Sequence, residues 1–130
     1  MVTALKITMI IIGVIAILMG LSNIFLPDQV AKIHGIAESA SYSKWLAAII
    51  GVFFIAVGVW VVTAGRDPLN HIYWVKFVIT LFSLGLLVNI YAIIRGYVSF
   101  NQIGAHIIMD AIFVAALLAF YPWRLALRGK

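Results

Sequence analysis

The chain has no cysteine. That excludes disulfides, thiolate nucleophiles, thiolate metal sites and covalently attached haem of the c type. Charge is scarce too: 10% of the 130 residues are charged, where an ordinary soluble domain has roughly 25%. In their place stands a hydrophobic fraction of 65%. A soluble domain this small leaves much of its surface in water and cannot hide so much apolar area. The apolar residues must therefore face lipid. The net charge of +5 forms no basic cluster, because the nine Lys and Arg stand at the ends of apolar runs. This placement suits anchoring at a membrane surface and argues against nucleic acid as a partner.

The few charges divide the chain into four apolar stretches. One lies between Lys6 and Asp28, a second between Lys44 and Arg66, a third runs around Lys76 to Arg95, and a fourth is broken only by Asp110. Crossing the hydrocarbon takes about 20 helical residues. The expectation is a single all-α membrane domain over residues 1–130, a bundle with helices near 5–26, 45–64, 71–94 and 102–122, and no soluble domain beside it. The first stretch is longer than the apolar region of a signal peptide and has no small-x-small site close behind it, so it reads as a retained helix.

Orientation follows from the flanking charges. Lys6, Arg66, Lys76, Arg124, Arg128 and Lys130 fall on the side of the termini, whereas Lys32, Lys44 and Arg95 fall on the other. The positive-inside rule then puts both termini in the cytoplasm and the protein in the cell or inner membrane as a multi-pass chain. Trp45, Trp60, Trp74, Tyr91, Tyr97, Tyr121 and Trp123 lie near span ends, where amphipathic rings prefer the interface. The outer connection, residues 27–44, opens with a helix-stopping proline and spaces Val30, Ile33 and Ile36 by three. Either a short interfacial helix or an irregular loop fits it.

Helices in lipid associate through small residues that let backbones approach. Candidates are Gly13 and Gly20 in span one, Gly51 and Gly58 in span two, and the four-residue repeat Ala111, Ala115, Ala119 in span four. Spans one and two share the string Ile-Ile-Gly-Val-x-x-Ile-x-x-Gly, starting at Ile11 and at Ile49. No matching echo joins spans three and four, so an inverted repeat of transporter type is not expected.

Polar residues at membrane depth are the candidate site. Asp110 is expected roughly 10 Å inside span four. A buried carboxylate is expensive in lipid and should face the bundle with a partner. His106 sits one turn outward on the same face. Asn23 and Asn89 lie at similar depth, and Arg95 stands at the outer mouth of span three. In one reading His106, Asn89 and Arg95 neutralise Asp110 and fix helix register. In a second, the group is an outer pocket that binds a quinone head group or relays protons. In a third, His34, His106 and Asp110 hold a metal, since a His-x-x-x-Asp pair offers two ligands from one helix face. No cofactor is specified by these residues.

Several features together resemble the DoxX-like group of small four-helix bacterial membrane proteins, which includes BphX-type families. They are Gly20 and Phe25 before Pro27, Gly35 in the loop, Gly51 with Gly58, and Asp110 followed by Tyr121-Pro122. The resemblance implies a four-helix membrane bundle and an accessory subunit of a membrane oxidoreductase system. No catalytic residues carry over with it, and lack of cysteine sets the chain apart from members linked to thiol chemistry. The expected function is thus a non-catalytic subunit that stabilises a larger membrane complex, with other membrane subunits, further copies of itself and lipid as partners. The alternative is a small transporter or a quinone- or proton-handling protein built around Asp110. Span one has no acid, unlike small drug exporters of similar length.

Overall fold

The computed structural model of the protein describes residues 2–33 and 41–123. Among them the order is α1 (Val2–Phe25), α2 (Pro27–Ile33), α3 (Ser41–Gly65), α4 (Ile72–Ile94) and α5 (Phe100–Phe120), with no strand. All but α2 are long and apolar enough to cross a membrane.

The helices overrun the boundaries that charge suggests, because lysine is a good helix former and limits the lipid-embedded stretch, not the helix. Thus α1 takes in Lys6, and α3 starts at Ser41 and takes in Lys44. The last helix ends at Phe120 because Tyr121 precedes a proline, whose ring pushes that residue out of helical conformation. Tyr121 is extended, with φ −62° and ψ 136°. At the end of α4, Gly96 has φ +76°. There the Gly96 N–H donates to the Ile93 carbonyl and the Tyr97 N–H to the Ala92 carbonyl, a Schellman closure that needs a left-handed residue.

Pro27 does more than stop α1. Only Leu26 separates the helices, and Pro27 opens α2 at the first helical position, where a missing N–H costs nothing. A short helix therefore occupies the first part of the connection from α1 to α3, and His34, Gly35 and Ile36 lie outside the described residues. Asp28 of α2 pairs with Lys44 of α3 at 3.1 Å.

Helices α1 and α3 pack antiparallel with almost no gap. A Cβ on Gly20 would lie 2.5 Å from the Gly51 carbonyl, and one on Gly58 would lie 2.7 Å from the Gly13 carbonyl. The shared string explains the fit. Ile17 and Ile55, each four residues after a glycine, cover the opposing Gly58 and Gly20. The seven-residue glycine spacing keeps this seam facing its partner along both helices, as in a left-handed pair. Helices α4 and α5 form a second pair that meets the first more sparsely.

The core gathers at the end of the bundle that carries the chain's described termini. Leu5, Met9, Val61, Val75, Val78 and Leu117 are buried there, with Tyr121 beside them. At that same end Trp74 stacks on Trp60 at 6.1 Å, and the Lys76 ammonium lies 5.6 Å from the Tyr73 ring centre. Hydroxyls inside the spans are satisfied locally. Thr8, Ser22, Thr63 and Thr80 each donate to the carbonyl four residues back, as lipid demands.

The small-residue stripe of α5 lies on the outside of the single chain. Ala111, Ala115 and Ala119 are all exposed. Asp110 and Leu117 form the inward stripe of α5, and the alanines lie roughly 100° or more around the helix from it.

Candidate functional site

Away from the core, the two helix pairs part. Between them is a cavity of about 260 Å³ to which α1, α3, α4 and α5 all contribute. Its walls are mostly apolar, with Ile12 and Ala16 from α1, Phe54 from α3, Phe82 from α4 and Phe113 from α5. Asn89, His106 and Asp110 break this surface. The cavity lies where the glycine-closed α1–α3 pair meets α4 and α5 only sparsely, and Phe82 and Phe113 in its wall touch at 5.7 Å between ring centres.

A wider groove of about 730 Å³ continues the cavity toward α2. Ile15, Met19, Phe54, Asn89, His106 and Met109 line both spaces, so they are contiguous. Ser22, Asn23, Asn101 and Gln102 make the groove's rim polar, and Val30 and Ile33 of α2 border it. Gln102 is held in place as the third residue of α5, where its side-chain oxygen accepts the Ser99 N–H at 2.9 Å. The whole space is a funnel with a polar mouth beside α2 and an apolar floor.

Asp110 stands at the middle of α5, because that helix begins at Phe100 and ends at Phe120. That is about 15 Å from the mouth end of the helix, deeper than the charge pattern suggests. Asp110 is only 6% exposed. Its carboxylate makes no ion pair or side-chain hydrogen bond with the described residues, where the single ion pair joins Asp28 and Lys44. Across the cleft it meets Gly85 of α4, whose absent side chain leaves the carboxylate room. A Cβ there would lie 3.8 Å from Oδ2.

The residues singled out in the sequence separate as follows. Asn89, His106 and Asp110 share one cavity, and Asn23 lies on the rim. Arg95 does not join them. It caps α4 with an exposed side chain and lines neither space. The arginine therefore does not neutralise Asp110. It precedes the turn at Gly96, and its side chain is exposed. His71 bonds through Nδ1 to the Asp67 carbonyl oxygen at 2.9 Å in the turn between α3 and α4, remote from the site. His34 lies outside the described residues, and among those described no three His, Asp or Glu converge on a metal position. Gly85, Phe54, Phe82 and Phe113 complete the site without having been visible as its parts. Only the gap at Gly85, a glycine away from the seven-residue glycine seam, sets one of them apart in the sequence.

Compared with family models, curated proteins and solved structures, the chain matches none. What the site can do is read from its geometry.

Proposed function

We propose that the protein is a cell-membrane binding protein that takes an amphipathic small molecule into the cavity between its helix pairs, with both termini cytoplasmic. One observation carries this reading. Asp110 is buried at mid-helix on the wall of an open cavity, without a partner among the described residues. A membrane helix that spends several kcal/mol on an intramembrane carboxylate with no bond to the described residues has that group free to meet a ligand. Small-molecule sites have this character, mostly apolar with a few convergent polar groups.

The absence of cysteine provides a clean test. Asn89→Cys should react with a membrane-impermeant thiosulfonate from the α2 side, whereas Leu87→Cys, on the exposed face of α4, should not. Added decanol or decylamine should slow the Asn89→Cys reaction by filling the cavity. A cysteine at position 89 that stays unreactive, or reacts at a rate indifferent to every amphiphile, would overturn the proposal.

A second reading has its own support. Among the residues of α4 only Val75 and Val78 are buried, and the alanine stripe of α5 faces outward. Those faces suit a non-catalytic subunit packed into a larger membrane complex, a membrane-bound oxidoreductase being the kind the DoxX-like resemblance suggests. The two readings are compatible in one subunit. Copurification of defined membrane subunits in mild detergent supports the second, and a monodisperse single chain under the same conditions counts against it.

A further inference from the structure

The polar groups of the cavity are not equivalent in what they ask of a ligand. Asn89 both donates and accepts, and an imidazole such as that of His106 can do the same. An ionised carboxylate only accepts. Asp110 lies deepest of the three, 94% buried by its exposure of 6%, and aims at a space that none of the described residues fills with a donor. Whatever reaches it must bring a donor, and a positive charge satisfies it best. Phosphate or carboxylate head groups would meet repulsion, and a quinone offers carbonyl oxygens that would confront the carboxylate with more acceptors. A bare metal ion finds too few ligands among the described residues.

The surroundings select further. Phe54, Phe82 and Phe113 line the same cavity, and aromatic faces attract cations. The remaining wall is aliphatic and leads into the wider groove beside α2. A compact cationic head with an apolar tail matches both parts of the funnel.

We infer that the occupant is a lipophilic amine, its protonated nitrogen bound by the Asp110 carboxylate within the phenylalanine-lined end of the cavity and its tail lying in the groove toward α2. The inference rests on the cavity-binding function proposed above and names its ligand class. The aliphatic amine is protonated at neutral pH, as lysine is. Asn89 and His106 flank its path, and Gly85 keeps the carboxylate uncovered.

The test is equilibrium binding of N,N-dimethyldecylamine, decanol and decylubiquinone to the full chain in nanodiscs of neutral lipid, with uptake by empty nanodiscs subtracted. The amine should bind about tenfold or more tightly than decanol, the range expected of a hydrogen bond to a charged group. Asp110→Asn keeps the shape and should erase that preference while decanol binding survives. Ala16→Phe places a ring in the cavity and should abolish both. Size-exclusion profiles and helical circular dichroism identical to the wild type establish that each variant is folded.

Equal binding of amine and decanol, lost in Ala16→Phe, would overturn the amine inference and leave cavity binding standing. Decylubiquinone binding more tightly than the amine would also overturn it, as would an Asp110→Asn protein that still prefers the amine. Binding of none of the three would sink the ligand class and the cavity function together.

Discussion

At the scale of single residues, Asp110 and its surroundings reverse the usual logic of a buried charge. A structural ion in lipid is expected to hold helices together through a partner, and its loss then destabilises by stranding that partner. Here the carboxylate faces Gly85 across the cleft and makes no bond to Asn89, which lines the same cavity. Asp110→Leu should therefore resist unfolding in SDS better than the wild type, by up to about 3 kcal/mol on insertion scales. A loss of stability of about 2 kcal/mol or more would mean that the carboxylate does hold the bundle together. The same variant should lose any amphiphile preference, so stability and binding are expected to move in opposite directions. That opposition marks a site in which function is retained at the expense of stability.

At the scale of helices, glycines with the same side chain have opposite meanings. A Cβ at Gly20 or Gly58 would meet backbone carbonyls at 2.5 and 2.7 Å, and backbone cannot yield. Alanine at either position should force α1 and α3 apart and cost about 1–3 kcal/mol, as overpacked cores do. Alanine at Gly85 meets nothing closer than 3.8 Å and should stabilise by about 0.5–1 kcal/mol through helix propensity. Ala115→Leu, on the exposed side of α5, should leave the single chain unchanged within about 0.5 kcal/mol. SDS titration of the four variants gives all these signs in one experiment. If Gly20→Ala and Gly85→Ala shift the midpoint equally, the tight α1–α3 seam is not the one described.

At the scale of the whole molecule, the bundle is two helix pairs sealed at one end and open at the other. The seal is the cluster around Leu5, Met9, Val61 and Leu117, with Trp60 and Trp74 stacked beside it. At the open end α2 lies against the groove, tied to α3 through the exposed Asp28–Lys44 pair, an interaction worth little by itself. Orientation decides which aqueous phase the funnel meets. In sequence order six of the nine basic residues flank the span ends that meet at the sealed side, so that side should face the cytoplasm. Reporter fusions at Lys130 and within residues 35–42 are expected to give opposite signals, the latter outside. Outside activity at Lys130 would turn the funnel toward the cytoplasm.

Much of this was determined by the sequence alone. Long uncharged runs admit only helices in lipid, where every backbone group must be bonded within its own segment, so four spans follow without knowledge of their contacts. The shared Gly-containing strings of spans one and two also made their glycines recognisable as packing residues, and Asp110 stood out as the one acid inside a span. Helix rotation was not legible in the same way. In a soluble helix the apolar stripe names the buried face, but lipid is as apolar as the bundle interior and removes that signal. Ala111, Ala115 and Ala119 therefore looked suited to an interface and face outward in the single chain, while Gly85, on the helix after the glycine seam, became the space in front of Asp110. Arg95 was close to the site in sequence order and far from it in direction, because the turn at Gly96 sets where α4 ends. The cavity itself belongs to no segment. It lies where α1 and α3, closed on glycine, meet α4 and α5 only sparsely, with Phe82 and Phe113 in its wall, and only tertiary packing sets that spacing.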